Sequence, residues 1–435
     1  MTRVTPDVPG PRRRLAGRAL VVLCLLAIAA ATLTPEPELA GAVSSTPPWC
    51  LLCGDTGLVD ALLNVVLFVP YGIALRAAGQ SWRRIAIAVA LTTLSIELLQ
   101  MKVIAGRDAS LGDLLTNFAG GLLGAWLAAQ WRRLLAPDPR LAGRLALGGA
   151  LAWLALTTLT GWLEEREVPA AHAALFFARE LPAHDRFGGR VLGAEINGWP
   201  VDSGSVASAQ ALALGEDSAR FGIALVSGRP PARPAPVAEL LGGWPHATSY
   251  LALEQRGRDA VFRWRMRIER LRLRSPALRL PRAFPPVAGD TLLLTGAYRD
   301  ERLWLTVQPA GAPAQARSIA VPLSPSWSWA IVLPFEYDFG PEVYVLTALW
   351  LAGLLFLPGY WAAWAGRGTR VALVGCIVGG LAGVPWLVTL PAVHWSEWLG
   401  ALGGAAGGGL LGALVAARLR PRARRREAVV AALAR

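Results

Sequence analysis

The chain of 435 residues is 54% hydrophobic and only 17% charged, where a soluble protein would carry roughly a quarter charged residues. Its mean hydropathy of +0.42 comes with apolar runs of about 20 residues, the length that crosses a bilayer, so the composition excludes a soluble protein and describes an integral membrane protein. The net charge of +13 does not imply nucleic acid, which requires basic residues gathered on one folded face; here each group of arginines borders an apolar run.

Hydropathy predicts eight spans, near 15–33, 58–78, 84–101, 111–131 and 144–163, then near 342–364, 369–391 and 396–417. With Arg12, Arg13 and Arg14 inside, the loops at 76–84, 132–144, 366–370 and 418–426 become cytoplasmic, and every one is arginine-rich. Both termini are therefore expected in the cytoplasm. The first span reads as an uncleaved anchor, because no small-residue cleavage site follows it cleanly.

Cys50 and Cys53 fall in the loop before the second span, on the side where oxidation is permitted, and read as a local disulfide. Two thiols alone do not make a zinc site, and nothing else in the chain implies a metal or cofactor.

Ionisable and amide groups are costly in hydrocarbon, so those that persist there merit a functional hypothesis. The second span carries Asp60 and, one turn later, Asn64; the third ends with Glu97 and Gln100; the fourth opens with Asp113 and Asn117. Each pair shares a helix face. Asn64 lies 12 residues before Arg76, Glu97 13 after Arg84 and Asn117 15 before Arg132. At 1.5 Å per residue these give heights of roughly 18, 20 and 22 Å in a core of about 30 Å. The three are predicted at one level in the outer third of the membrane, with Lys102, Arg107 and Asp108 in the loop above and Arg107 and Lys102 as counter-charges. The alternative reading is packing, since Asn and Gln hydrogen-bond between helices and Gly120 and Gly124 make a small-residue face.

The ordered set Asp60, Asn64, Phe68, Pro70, Gly72, then Ser95, Glu97, Gln100, then Arg107, Asp113, Asn117, Gly120 and Gly124 resembles the VanZ-like family, named for a teicoplanin-resistance protein. The likeness covers about residues 15–165. It implies a bacterial multi-pass protein of the cell envelope, in the inner membrane, with a link to glycopeptide tolerance. Members often carry another acid between the Arg and the last Asp, where this chain has Ser110 and Gly112.

Residues 166–338 change character to lower hydropathy, many Pro and Gly, and short alternating segments, which predicts an extracytoplasmic all-β domain. Strands are expected at 221–226, 250–255, 260–274, 291–297 and 303–307, the last following the turn Arg299-Asp300-Glu301. In 260–274, Phe262, Trp264, Met266 and Ile268 alternate with Arg263, Arg265, Arg267 and Glu269, and the phase slips at Glu269-Arg270, where a bulge or turn must sit. Gly289 to Gly311 resembles the concanavalin A-like (laminin G) jelly roll, which implies a glycan or protein ligand. The arginines of 263–274 suit an anionic ligand or form the wet face of the sheet.

The fold class expected is a polytopic α-helical membrane protein of about eight spans with an inserted jelly-roll domain: a five-helix domain over 1–165, the β domain over 166–338, three helices over 339–419 and a basic cytoplasmic tail over 420–435. The four histidines are scattered, and no HExxH, phosphate loop or nucleophile elbow is present. The leading reading is therefore a protein without recognisable catalytic machinery that meets membrane lipids and a lipid-linked cell-wall or surface-polysaccharide component. Alternatives are an enzyme acting on a lipid or polyprenyl phosphate headgroup, with Glu97 or Asp113 as acid or base, and a transporter or scramblase.

Overall fold

The computed structural model describes residues 11–35, 47–54, 56–104, 109–169, 172–181, 184–243, 248–333 and 342–433. The chain divides into two compact units, Met1–Leu135 and Ala136–Arg435.

The first unit is helical: α1 (Pro11–Thr32), α2 (Gly57–Ala77), α3 (Trp82–Lys102) and α4 (Leu111–Leu135). Its core holds Ile28, Phe68, Tyr71, Ile85 and Val89. Helices in lipid associate through close backbone approach rather than hydrophobic expulsion, and α2 and α4 follow this rule. A Cβ at Gly124 would lie 2.0 Å from the Val69 carbonyl oxygen, one at Gly120 2.3 Å from that of Val65, and one at Gly72 1.9 Å from that of Gly121.

The second unit opens with α5 (Pro139–Leu163). Asp138 caps it, accepting the Arg140 and Leu141 N–H groups at 3.0 Å each, and Pro139 occupies the first helical position, where its missing N–H costs nothing. The chain then forms a sandwich of two six-stranded antiparallel sheets, consistent with a jelly-roll-like domain. Its elements are β1 (Ala173–Phe177), β2 (Arg190–Ile196), β3 (Trp199–Val201), β4 (Gly204–Val206), a short α6 (Ser208–Ala213), β5 (Ala219–Val226), β6 (Ala235–Gly242), β7 (Thr248–Arg256), β8 (Asp259–Trp264), β9 (Ala277–Leu280), β10 (Thr291–Arg299), β11 (Arg302–Pro309) and β12 (Arg317–Pro322). One sheet runs β4-β1-β6-β7-β8-β9 and the other β12-β11-β10-β5-β2-β3. Close packing of the two layers is visible at Gly296 in β10, where a Cβ would stand 2.3 Å from the Phe262 ring of β8. Asp300 and Glu301, at φ 51° and 56°, join β10 to β11 in the two-residue hairpin geometry whose twist suits the strands.

The expected strand over 260–274 ends earlier. β8 stops at Trp264, and Arg267–Leu271 form a 3-10 turn closed by Arg272 at φ 54°. Met266 and Ile268 are still fully buried, so a turn accounts for the phase slip. The arginines of this stretch meet the domain's own carboxylates: Arg263 faces Glu254 at 3.7 Å, Arg265 meets Glu167 at 2.8 Å and Glu269 at 2.7 Å, and Arg267 meets Glu165 at 2.6 Å.

The chain returns to α7 (Glu342–Trp364), α8 (Arg367–Val378), a π turn at Gly379–Gly383, α9 (Val384–Leu387) and α10 (Trp395–Leu433). Ala146, Ala150 and Trp153 of α5 share a core with Leu351 and Leu355 of α7 and Ile377 of α8. A glycine at every fourth position of α10 meets the α7 backbone: Gly400, Gly404, Gly408 and Gly412 would place a Cβ 2.2, 2.3, 1.9 and 2.4 Å from the carbonyl oxygens of Ala348, Ala352, Phe356 and Tyr360. Among the described residues seven helices are long and apolar enough to cross a membrane, which makes this a multi-pass membrane protein. The eighth expected span, α4, has the length at 25 residues but not the hydropathy. Its small and polar residues, Asp113, Asn117 and the glycines, are spent on contacts within the unit.

Residues 165–167, just after α5, are fastened to the sandwich. The Glu167 N–H donates to the Arg265 carbonyl and the Arg267 N–H to that of Glu165, both at 2.9 Å. Arg166 pairs with Met266 as an isolated β-bridge, and the Trp264 indole N–H donates to the Glu167 carbonyl at 3.2 Å.

Candidate functional site at the start of α4

The site is built around one helix terminus. The first N–H groups of α4 have no partners within the helix; a neighbouring loop and the preceding Ser110 supply acceptors, and α3 accepts the N–H of Ser110 itself. From the loop joined by the Cys50–Cys53 disulfide, the Pro48 carbonyl accepts Leu111 N–H at 2.8 Å and the Cys50 carbonyl accepts Gly112 N–H at 3.0 Å. The Ser110 hydroxyl oxygen accepts Asp113 N–H at 2.9 Å, a side-chain cap. Glu97, reaching across from α3, accepts Ser110 N–H at 2.9 Å.

This is a capping box completed from another helix. In the usual form the acid three residues after the cap reaches back to the cap's own N–H. Here Glu97 takes that role, and Asp113 instead accepts the Asn64 side-chain amide of α2 at 2.6 Å. Glu97 is 6% exposed; the partial positive charge of the helix terminus offsets part of the cost of holding a carboxylate there. Ser110 and Gly112, in the stretch where the VanZ-like resemblance leads one to expect a further acid, are both explained. Ser110 is the cap, and at Gly112 a Cβ would lie 2.0 Å from the Leu51 carbonyl oxygen, so no side chain fits.

One turn further along α4, Asn117 is 2% exposed and donates from Nδ2 to the Thr93 hydroxyl at 3.1 Å. Its carbonyl oxygen Oδ1 is buried and meets no donor among the described residues. Deeper along α2 and α3, the Tyr71 and Thr92 hydroxyls are 3.1 Å apart. The polar side chains thus form a ladder of interhelical pairs.

The structure brings Asn64, Glu97, Asp113 and Asn117 to this ladder, with a register different from the equal heights expected. Asn64 pairs with Asp113 rather than standing level with Asn117, and Asn117 pairs with Thr93, one turn before Glu97. Two of the predicted residues lie apart from it. Asp60 is exposed at the start of α2 beside Thr56, and Gln100 donates to the Thr32 carbonyl at the end of α1 at 2.9 Å. Arg107 and Asp108 lie outside the described residues; Lys102 is exposed. Sequence reasoning missed Ser110, Thr93, Thr92 and Tyr71. The signal for Ser110 was present as the S-x-x-D spacing before an apolar run; the threonines carry no such mark.

Residues 21–133 match the family model described as VanZ/LLP1, a stretch that takes in the second half of α1, all of α2 and α3, and α4 short of its last two residues. No curated protein and no solved structure matches the chain.

Proposed function

With residues 21–133 forming a VanZ-like domain of a cell-envelope membrane protein as the premise, we propose that this domain engages a lipid-linked cell-wall or surface-polysaccharide component from the outer leaflet of the bacterial inner membrane. Lowered access of glycopeptides such as teicoplanin to that component follows as the phenotype. The arginine distribution supports a topology with both termini cytoplasmic and with the α4 start and the β sandwich on the outer side. The sandwich, read as a concanavalin A-like domain, binds a glycan or protein in the same compartment.

The observation that carries the reading is Asn117: a buried amide oxygen without a donor, in a ladder whose other groups are satisfied in pairs, is an acceptor poised for a ligand hydroxyl or N–H. Binding is favoured over headgroup chemistry because Glu97 and Asp113 are held by Ser110 N–H and Asn64. The test is Asn117→Leu in the full-length protein, assayed in nanodiscs for retention of undecaprenyl pyrophosphate-linked precursor and in cells for teicoplanin susceptibility. Both are expected to fall to the level of cells lacking the protein while the thermal transition stays near that of the parent. Retention and tolerance equal to the parent would refute the reading.

A further inference from the structure

In the second unit two buried carboxyl groups flank one serine. Glu164, the residue after α5, is 1% exposed, and Glu397, in the first turn of α10, is 3% exposed. The hydroxyl of Ser324, just after β12, lies 3.1 Å from each Glu397 oxygen and has one proton to give. The Ser324 N–H faces Glu164 without closing a hydrogen bond. Neither Glu164 oxygen is reached by solvent, and neither meets a donor among the described residues.

No cation balances the two groups. No arginine or lysine acts on either carboxyl. Arg166 donates to the Leu214 and Glu216 carbonyls at 3.1 Å each and stacks on Tyr298, and Arg267 meets Glu165 at 2.6 Å. His394, in the turn before α10, offers Glu397 its backbone N–H at 3.4 Å and directs its ring Nδ1 to the Ser396 hydroxyl at 2.9 Å. Among the described residues no group of three His, Cys, Asp or Glu could hold a metal ion.

An enclosed carboxylate with neither donor nor cation is costly, and a second one beside it cannot ionise as well. A proton resolves both difficulties. It turns one carboxyl into an O–H donor, for which the neighbouring carboxylate is an acceptor, and it is a ligand that needs no room. Burial, and Glu397 beside it, hold the Glu164 pKa well above the ordinary carboxylate range, in the same direction.

We propose that Glu164 and Glu397 bind a single proton between them, and that this proton clasps the end of α5 to the start of α10 across Ser324. The site lies within the second unit and is independent of the VanZ-like reading. Unfolded, a glutamate loses its proton near 4.5; the folded pair, titrating as one unit, keeps its proton above that value. The contribution to stability is therefore complete below the ordinary value and is lost as pH rises through the native one.

The thermal transition of the full-length protein in nanodiscs, followed from acid to alkaline pH, tests the clasp. The parent should lose about 2–4 °C per pH unit while the folded pair holds its proton and the unfolded chain does not. Glu164→Gln, an isostere of the protonated acid that keeps an N–H for Glu397, should melt with the parent at acid pH and above it at alkaline pH, with that slope removed. Infrared difference spectra of parent minus Glu164→Gln should show the C=O stretch of a protonated carboxyl at neutral pH. A Glu164→Gln protein less stable than the parent at every pH, or one with the parent's slope, would overturn the proposal. So would a difference spectrum without that band, or a parent profile that moves when potassium replaces sodium at constant ionic strength, which would assign the site to a metal cation.

Discussion

The close approach of α2 and α4 sets the geometry of the polar ladder, and Gly124→Ala tests that dependence. The added Cβ would lie 2.0 Å from the Val69 carbonyl oxygen. Ordinary contact needs about 3.4 Å, so the helices must part by about 1.4 Å locally or distort, at a cost of roughly 1–3 kcal/mol for an overpacked interface. If the parting extends along the interface, the Asn64–Asp113 bond of 2.6 Å opens to about 4 Å, beyond hydrogen-bonding range. The thermal transition in detergent should therefore fall, and precursor retention with it. Gly148→Ala is the control: Gly148 lies in α5 with nothing within 4 Å of the added carbon, and alanine is the better helix former by up to about 1 kcal/mol, so the transition should hold or rise. A Gly124→Ala protein that melts and binds like the parent would show that the glycine contact does not position the site.

Ser110→Ala removes the cap of α4 while keeping the N–H that Glu97 accepts; a loss of about 1 kcal/mol, read by chemical denaturation, is expected, and no loss would mean the cap is replaced locally. In the sandwich, burial disfavours the Glu254 carboxylate, but Arg263 and Arg256, the latter at 3.0 Å, outweigh it and hold its pKa below the ordinary range. Because the folded pKa is depressed, its contribution is complete above the ordinary carboxylate value and is lost as pH falls through the lower native one. The domain should therefore lose stability on acidification below about pH 4.5, the ordinary carboxylate value, followed by near-UV circular dichroism. Glu254→Gln should be less stable at pH 7 and less acid-sensitive; an unchanged acid profile would count against the pairing.

What could be read from the sequence followed the physics of each signal. Apolar runs fix spans because length and hydropathy are both large, and the seven helices apolar enough to cross a membrane stand near their expected windows; α4 stands in its window as a helix without that hydropathy. Depth reckoned from arginines was a turn too coarse: it assumed parallel helices starting at one plane, whereas Asn64 pairs with Asp113 and Asn117 with Thr93. Alternation could not tell strand from turn at Met266 and Ile268, since both are buried in either case. β6 went unread for the opposite reason. Every residue from Ala235 to Gly242 is buried, so it carries no alternation. Glu164 looked like the ordinary polar end of a span, and only the fold shows its oxygens enclosed.

The direct passage from α5 into the sandwich, fastened by backbone pairs and by Glu165 and Glu167 gripping Arg265 and Arg267, makes the sandwich a fixed turret and not a lure on a line. Its reach is a constant elevation set by the rod beneath it. On the function proposed above, a ligand of the sandwich must come to that height to be met, and a torque applied to the turret is delivered to the helix that carries it.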